Sequence, residues 1–260
     1  KTSNVINIMF STPKESHKHS LETLNILDGF IDFKCSINDL LDIGCGKCYD
    51  LSWWVNINDG DLKNPQPLNI KCVGLDIIKP SNKESMHENI YFVEHDFNST
   101  DRLPFSNRKF DVVWCHDVLQ YAHNPLKLLG AINHQMATNS MLYICVPSTV
   151  NVLHGKFHNY TFSNYYSTFT MTQLIYLLAL NGFDCKNGYF KKNAYEDIIQ
   201  IVTYKNTEPY DYGSSWYNLL EENVFSDNIS KIISSKGYLT DNGLVTTWLD
   251  GEVYDYRYHS

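Results

Sequence analysis

Short apolar runs alternate with helical patterns along residues 37–204. Near-continuous apolar runs separated by helices are typical of the strands of a buried parallel sheet. The strand-like runs are Asp39–Ile43, Ile70–Leu75, Ile90–Glu94, Phe110–Cys115, Met141–Val146, Phe183–Tyr189 and Ile198–Tyr204. The last two runs are too close together for a helix between them, which predicts an antiparallel hairpin. The pattern therefore predicts an α/β fold with a doubly wound, mostly parallel seven-stranded sheet and an antiparallel edge hairpin.

Capping residues predict where two of the helices begin and where one ends. Asn124 followed by Pro125 is a typical N-cap and first helical position. Thr170 and Gln173 have the spacing of a capping box, in which each side chain satisfies a backbone N–H group. Gly182 stands where a glycine usually ends a helix. Both helices fall between predicted strands, as the alternating pattern requires.

The pattern divides the chain into three parts. Residues 37–206 form the predicted α/β core, and an N-terminal helical segment, 1–36, precedes it with a helix over 17–30. Residues 58–69 contain two prolines, which predict a loop inserted before the second strand. Residues 207–260 follow the last strand, and we expect them to form an acidic, aromatic-rich C-terminal appendage.

The composition is that of a folded, acidic protein. Hydrophobic residues make up 43% of the chain and aromatic residues 14%, which excludes an intrinsically disordered chain. The net charge is −8, of which −6 falls in residues 207–260. A protein that coats nucleic acid needs a surplus of Lys and Arg to neutralise phosphates. The charge therefore weighs against a nucleic-acid partner.

Nothing in the sequence indicates a membrane or an export route. The longest apolar stretch, Leu174–Leu180, is far shorter than the roughly 20 residues of a spanning helix. The residues up to Ser20 lack the apolar run of a signal peptide. Several of the scattered cysteines lie in apolar runs, where a free Cys behaves as a small hydrophobe. We therefore expect a cytoplasmic protein with reduced thiols and no membrane partner.

The most informative stretch joins the first strand to the helix after it. The strand ends at Asp42 and turns through Gly44 and Gly46. Glycines allow a tight turn and close approach of a ligand to the backbone, but two glycines alone fit an ordinary strand-to-helix turn equally well. Cys45 and Cys48 have zinc-knuckle spacing, yet no second pair stands at a ligand-like distance. We therefore predict no metal site.

Acidic residues also end the next two strands. Asp76 ends the second strand, where a carboxylate can accept both hydroxyls of a ribose. Asp96 follows the third strand beside Phe97, whose ring offers a face for a base. Ligands of open α/β sheets bind outside the carboxyl ends of the strands. Each acid alone is better explained as a helix cap or a loop residue, but their succession predicts a cofactor site.

Five short motifs follow one another along the predicted core: Leu41-Asp-Ile-Gly-Cys-Gly, Gly74-Leu-Asp, His95-Asp, Leu103-Pro-Phe and Phe110-Asp-Val-Val. In this combination the sequence resembles the class I S-adenosylmethionine-dependent methyltransferases, which have a Rossmann-like fold. The resemblance covers residues 37–204. It implies an enzyme whose cofactor is S-adenosyl-L-methionine and whose product is S-adenosyl-L-homocysteine.

The resemblance also implies a role for each strand end. In the family, the glycine loop and the acid before it hold the methionine part of the cofactor. The acid that ends the second strand binds the ribose, and the acid after the third strand reaches the adenine. The matching residues are Asp42, Gly44, Cys45 and Gly46 for the methionine part, Asp76 with Ile77 for the ribose, and Asp96 with Phe97 for the adenine. Cys115, His116 and Tyr121, at the end of the fourth strand, complete the predicted cofactor-binding set.

Some positions depart from the family's pattern. The loop usually has a third glycine where this chain has Cys48, and a glycine pair commonly precedes the fifth strand where Asn139 and Ser140 stand. The glycine loop also has a competing interpretation as part of a nicotinamide dehydrogenase. That fold would need a glycine at the position of Tyr49, which weighs against it.

A methyl acceptor that is protonated at neutral pH needs a general base. His116 lies where the family's cofactor and acceptor sites meet, and an imidazole suits proton transfer near neutral pH. We therefore predict His116 as the catalytic base, with a structural histidine as the alternative. The loop after the fifth strand is where the family commonly contacts its acceptor. The candidate substrate-binding residues in that loop are His154, His158, Tyr160 and Tyr165.

The acidic charge favours a small-molecule acceptor, methylated on oxygen or nitrogen. Residues 151–260 hold 22 of the 36 aromatic residues, and some of these can line an acceptor pocket. Leu41-Asp-Ile-Gly-Cys-Gly-Lys and Leu119-Gln-Tyr-Ala also look similar to messenger RNA cap guanine-N7 methyltransferases, which are one alternative. A methyltransferase-like scaffold protein without catalytic activity is the other.

Overall fold

The computed structural model describes residues 37–56, 68–80, 86–148, 165–193, 198–209, 216–227 and 229–230. Its strands are β1 (Asp39–Ile43), β2 (Lys71–Asp76), β3 (Ile90–Glu94), β4 (Phe110–His116), β5 (Met136–Pro147), β6 (Tyr189–Asn193) and β7 (Ile198–Tyr204). Within these residues they form one seven-stranded sheet in the order β3-β2-β1-β4-β5-β7-β6. The predicted fold class is confirmed: an α/β protein whose mostly parallel sheet has an antiparallel β5-β7-β6 edge.

The described chain divides into two compact units. The first consists of the described residues up to His95 together with Phe110–Val112. In this unit β1, β2 and β3 pair in parallel, with Asp76 at the end of β2 opposite Glu94 at the end of β3. Parallel pairing brings the carboxyl ends of these strands to one edge, which is where α/β sheets bind their ligands.

Asp111, in the Phe110-Asp-Val-Val motif, fixes the start of β1. Its carboxylate accepts hydrogen bonds from the backbone N–H groups of Asn38 at 2.8 Å and Asp39 at 3.0 Å. Hydrogen bonds to an ionised carboxylate are stronger than those between neutral groups. This acid of the motif therefore has a structural role inside the first unit.

The second unit consists of Asp96–Lys109 and the described residues from Val113 onward. Here β5 and β7 pair antiparallel, with Met141 opposite Tyr204, and β6 adds to the outer side of β7. β7 is buried up to Thr203 and β5 from Ser140 to Pro147, whereas β6 forms the edge of the sheet. The hairpin predicted for the sheet edge is therefore present.

The predicted helix caps are confirmed. Asn124 accepts a hydrogen bond from the N–H of Lys127 at 3.1 Å, and Thr170 and Gln173 form both bonds of a capping box. Gly182 follows its helix with a φ of 75°, which glycine adopts readily. The helices are α1 (Tyr49–Trp54), α2 (Pro125–Gln135), α3 (Met171–Leu180) and α4 (Trp216–Glu221), with a short 3-10 helix at Leu119–Tyr121.

The strand predicted at Phe183–Tyr189 is wrong, because β6 begins only at Tyr189. The side chain of Asp184 accepts hydrogen bonds from the backbone N–H groups of Lys186 and Asn187, at 2.8 and 2.9 Å. Such local bonds make a turn and compete with the hydrogen bonds of a sheet. The turn delays the start of the strand, although the apolar pattern begins earlier.

The fifth strand begins at Met136 rather than at Met141. Inside it, Asn139 adopts a φ of 60°, and the hydroxyl of Ser140 donates to the carbonyl of Ala137 at 2.6 Å. Asn tolerates this left-handed conformation better than most residues. Asn139 thus supplies a backbone conformation for which the family commonly has glycine.

Two sequence predictions concern residues that the structure mostly leaves undescribed. The helix over 17–30 and nearly all of the insertion at 58–69 lie outside the described residues. The three-part division of the chain therefore stays a prediction. Among the helices in the described ranges, none has the length and apolar character needed to cross a membrane.

Candidate active site

The loop after β1 is held against the end of β2. The backbone N–H groups of Gly44 and Cys45 both donate to the carbonyl of Leu75, at 2.7 and 3.2 Å. The N–H of Gly46 donates to the carboxylate of Asp76 at 2.8 Å. Gly44 and Gly46 have φ values of 70° and 50°, which glycine adopts without a steric penalty. The structure therefore brings the predicted glycine loop to the predicted ribose acid.

Asp76 keeps acceptor capacity for a ligand. Its second oxygen accepts a hydrogen bond from the N–H of Ile78 at 3.1 Å, and a carboxylate has about four lone-pair sites in total. The neighbouring Ile77 exposes 56% of its surface, so an apolar side chain lies open beside the acid. Asp42, in contrast, is buried at the end of β1, with 3% exposed.

Cys48 stands where the family has its third glycine, and its backbone behaves as a glycine would. It adopts a left-handed conformation, with φ 60° and ψ 31°, which residues with a side chain rarely adopt. Its N–H donates to the carbonyl of Cys45 at 2.7 Å. The loop therefore keeps a glycine-like path despite the substitution.

In the second unit, Asn98 joins the segment after β3 to the segment after β4. Asp96 accepts a hydrogen bond from the N–H of Asn98 at 2.8 Å. The amide of Asn98 donates to the carbonyl of Tyr121 at 3.0 Å and accepts from the N–H of His123 at 2.8 Å. These bonds hold the predicted adenine residues, Asp96 and Phe97, in fixed relation to Tyr121.

His116 ends β4 in a buried position, with 8% exposed, directly after the buried Cys115. Its Nε2 lies 3.8 Å from a carboxylate oxygen of Asp117. A ring nitrogen of His116, a carboxylate oxygen of Asp117 and the thiol of Cys145 all lie within 4.8 Å of one another. Burial raises the pKa of the Cys145 thiol, which favours its neutral form. The Asp117 carboxylate can stabilise the cation that forms when His116 accepts a proton.

The turn after β4 also holds the end of the loop that follows β5. The carbonyl of Gln120 accepts hydrogen bonds from the N–H groups of Tyr166 at 2.9 Å and Ser167 at 3.1 Å. The rings of Tyr121 and Tyr165 meet edge to face, with their centroids 5.2 Å apart. The structure thus brings a predicted cofactor residue, Tyr121, against a predicted substrate residue, Tyr165.

Gln120, which the sequence did not mark as a site residue, lies next to Tyr121 in this turn. Gln120 is 1% exposed, and its Oε1 has no hydrogen-bond partner among the residues that the structure describes. A buried, unpaired amide oxygen is costly and calls for a specific explanation, such as a ligand. Its position after β4 was visible in the sequence, but its burial was not. The other predicted substrate residues, His154, His158 and Tyr160, lie outside the described residues.

A family model described as "Methyltransferase domain" matches residues 38–223. The chain belongs to this methyltransferase-domain family. The predicted class, a class I S-adenosyl-L-methionine-dependent methyltransferase, is thereby confirmed, and with it the prediction of an enzyme that uses this cofactor. A search of curated proteins found no match.

Solved structures of methyltransferases share the fold at low sequence identity. A putative methyltransferase from Bacillus halodurans is 13% identical, with a TM-score of 0.54, and the match covers 72% of this chain and 100% of that one. The 1,6-didemethyltoxoflavin-N1-methyltransferase of Burkholderia thailandensis, solved with its substrate and S-adenosylhomocysteine, is 14% identical, with a TM-score of 0.52 and coverages of 73% and 78%. A plantazolicin methyltransferase, solved with a substrate analogue and S-adenosylhomocysteine, is 15% identical, with a TM-score of 0.53 and coverages of 72% and 83%.

The residues at the strand ends of this methyltransferase fit the cofactor of the family. Apart from its chain neighbours, no atom of the described residues lies within 4 Å of where a Cβ on Gly46 would be, so the space beside its backbone is open to a ligand. Asp76 offers carboxylate acceptors of the kind that ribose hydroxyls need. The exposed Ile77 provides apolar surface next to that acid. The carboxylate of Asp76, the apolar surface of Ile77 and the open backbone at Gly46 therefore fit the nucleoside cofactor of the family.

Proposed function

We propose that this methyltransferase transfers a methyl group to an oxygen or nitrogen of a small-molecule acceptor. Its net charge of −8 lacks the surplus of Lys and Arg that binding to a long nucleic acid requires. Two methyltransferases of similar fold act on discrete molecules, one on a toxoflavin precursor and the other on plantazolicin. Both the charge and these relatives support an acceptor that is a discrete molecule.

The observation that carries the proposed cofactor site is the hydrogen bond from Gly46 to Asp76. This bond holds the backbone of Gly46 against the carboxylate of Asp76 at the end of β2. The space beside the Gly46 backbone is open. In our proposal Asp76, with Ile77 next to it, binds the ribose. Asp42, Gly44, Cys45 and Gly46 hold the methionine part of the cofactor.

A second group of proposed cofactor residues lies in the other unit. We assign Asp96 and Phe97 to the adenine, the carboxylate as an acceptor for its amino group and the ring as a face for the base. The bonds of Asn98 support this assignment, because they fix the turn that carries both residues. Cys115, His116 and Tyr121 complete the proposed set.

When bound, S-adenosyl-L-methionine supplies an electrophilic methyl group on a positively charged sulfur. The residues of the chain have to position the acceptor in line with that group, which can contribute several kcal/mol. We assign His116 as the general base that takes the acceptor's proton. Asp117, 3.8 Å from Nε2, then stabilises the imidazolium. A partly apolar site favours the reaction further, because charge is lost in the transition state.

We propose that Tyr165 contacts the acceptor. Its ring packs against Tyr121, which belongs to the proposed cofactor set, so Tyr165 lies beside the cofactor residues of its unit. His154, His158 and Tyr160, which precede it in the same loop, are proposed as further acceptor contacts from the sequence.

The proposed organisation remains that of a core over 37–206, an N-terminal helical segment over 1–36 and an appendage over 207–260. The family match over residues 38–223 supports a core that begins near residue 37, and it runs past the proposed boundary at 206. The described cysteines are all free and buried, and this supports the proposal that the protein works in a reducing compartment such as the cytoplasm.

An acceptor screen tests the proposed function. The purified full chain is incubated with S-adenosyl-L-methionine and separate pools of phenols, amines, sugars and capped dinucleotide, and release of S-adenosyl-L-homocysteine is measured. We expect release with at least one phenol, amine or sugar pool and none with the capped dinucleotide. Release with the capped dinucleotide alone would establish the cap guanine-N7 alternative. No release with any pool, in a chain that binds cofactor, would favour the scaffold hypothesis.

A further inference from the structure

Two thiols face each other inside the glycine loop. The sulfur atoms of Cys45 and Cys48 lie 3.4 Å apart, and both cysteines are free and buried. The N–H of Cys48 also donates to the carbonyl of Cys45 at 2.7 Å, which closes a tight turn through Gly46 and Lys47. Neither the fold nor the proposed catalytic steps require a second thiol at this position, since the family usually has glycine there.

The turn has the dimensions of a disulfide. Two residues joined by such a hydrogen bond have Cα atoms less than about 7 Å apart, and disulfides span about 4.4–6.8 Å between Cα atoms. The two sulfur atoms have to approach by only about 1.4 Å to reach bonding distance. The hydrogen bond within the pair lowers the pKa of Cys48 and raises that of Cys45, so Cys48 is the thiol that ionises more readily.

The same turn carries the contact that we assign to the cofactor. Gly46, between the two cysteines, donates its N–H to Asp76 at 2.8 Å. The thiol of Cys45 packs closely against β2, with its sulfur 2.7 Å from where a Cβ on Gly74 would be. The Cys45 sulfur thus fills the space beside Gly74, and bond formation draws it away from this contact towards Cys48. This movement pulls on the turn that carries the Gly46 N–H, and we expect it to weaken the bond from Gly46 to Asp76.

We propose that Cys45 and Cys48 form a redox modification site, where reaction with a small-molecule disulfide closes a Cys45–Cys48 disulfide that weakens cofactor binding. The effect on binding rests on the proposed role of Gly46 and Asp76, whereas the formation of the disulfide does not.

The reaction balances as an ordinary thiol–disulfide exchange. The Cys48 thiolate attacks one sulfur of the small disulfide, forms a mixed disulfide and releases one small thiolate. Cys45 loses its proton and attacks the Cys48 sulfur, which forms the Cys45–Cys48 bond and releases the second small thiolate. The two protons of the pair end on the released thiolates. The protein thiols are oxidised, and the small disulfide is reduced to two thiols.

Peptide mapping of the full chain tests the modification. The chain is equilibrated with glutathione disulfide, its remaining thiols are alkylated, and it is digested with trypsin. Trypsin cuts after Lys47, so an intact bond links the peptide that ends at Lys47 to the peptide that begins at Cys48. We expect this linked pair, and we expect dithiothreitol to separate it.

Single substitutions identify the bond. The peptide that ends at Lys47 also contains Cys35, so Cys35→Ser is the matched control. We expect Cys35→Ser to retain the link and both Cys45→Ser and Cys48→Ser to lose it. Absence of linked peptides in an excess of glutathione disulfide, or a link that survives in Cys45→Ser, overturns the proposal.

Titration of the same samples with S-adenosyl-L-homocysteine tests the consequence. We expect the oxidised chain to bind at least about tenfold more weakly than the reduced chain, a change of one decade in Kd, with recovery after reduction. The Cys48→Ser variant should bind S-adenosyl-L-homocysteine with the same affinity after treatment with glutathione disulfide as after reduction. A linked chain whose affinity equals that of the reduced chain overturns the regulatory half. Failure of the reduced chain to bind contradicts the proposed function instead, and the peptide map separates the two cases.

Discussion

The ring of Tyr165 meets the ring of Tyr121 edge to face, with centroids 5.2 Å apart. Tyr121 lies in the turn between β4 and α2, and Tyr165 lies at the end of the loop that follows β5. Backbone hydrogen bonds from Tyr166 and Ser167 to the carbonyl of Gln120 hold this arrangement in place. The end of the proposed acceptor loop is therefore anchored on a turn that carries a proposed cofactor residue.

Removal of the Tyr165 ring should impair catalysis. Edge-to-face aromatic pairs contribute about 0.5–1.5 kcal/mol beyond their buried area, so we expect Tyr165→Ala to lower kcat/KM by about tenfold. Tyr165→Phe keeps the ring and is the matched control, with kcat/KM close to that of the wild type. Steady-state kinetics with the acceptor found in the screen provide the measurement. Equal losses in both variants would show that the hydroxyl, rather than the ring contact, matters.

Gln120→Met should separate activity from stability. The substitution removes a buried amide oxygen that has no hydrogen-bond partner within the described part of the chain, so we expect an unchanged or higher Tm. If the amide faces a ligand, kcat/KM falls at the same time. Gln135→Met is the matched control, because the Oε1 of Gln135 is also buried and unpaired but lies in α2. A kinetic loss of equal size in both variants would contradict a ligand-binding role for Gln120.

His116→Gln should abolish the acid limb of the pH profile. A general base has to be neutral to accept a proton, so the wild-type kcat/KM should fall as the pH is lowered and the imidazole is protonated. Loss of the base should lower kcat by about 10²–10⁴-fold and leave a flatter profile. His134→Gln, at an exposed position, should keep the wild-type profile. An acid limb that persists in His116→Gln would assign the base to another residue.

Gly182→Ala should destabilise the fold. Gly182 has a φ of 75°, and an added Cβ would lie 2.5 Å from the carbonyl oxygen of Thr207. Both strain and the clash act on the folded state, and we expect a loss of about 1–3 kcal/mol. Thermal unfolding measures the change. An unchanged Tm would contradict this prediction and show that the backbone at Thr207 can move away without loss of stability.

The apolar pattern predicted β1, β3 and β7 with the bounds that the structure has. The pattern misplaced β6, because the side chain of Asp184 bonds to the following backbone and ends the apolar run in a turn. A competition between a side chain and the sheet for backbone N–H groups leaves no trace in hydrophobicity.

The candidate site was predictable to a similar extent. The sequence places Asp76 and Asp96 at successive strand ends, and the structure has Asp76 at the end of β2 and Asp96 shortly after β3; their roles in cofactor binding stay predictions. The buried amide of Gln120 and the facing thiols of Cys45 and Cys48 depend on side-chain positions that spacing along the chain does not specify. The family's missing third glycine marked Cys48 as unusual, but only the structure shows its left-handed backbone and its partner.

Binding of S-adenosyl-L-homocysteine to Asp76→Asn tests the central claim most directly. Asn keeps the size of Asp76 but removes the charge and half of its acceptor oxygens, and hydrogen bonds to a charged group contribute about 1.5–3 kcal/mol each. Asp101→Asn is the matched control, since Asp101 is an exposed acid paired with Lys127. By titration calorimetry on the reduced chain, we expect Asp76→Asn to bind at least about tenfold more weakly, and Asp101→Asn to bind as the wild type does. Equal affinity in all three proteins would contradict the assignment of Asp76 to the cofactor.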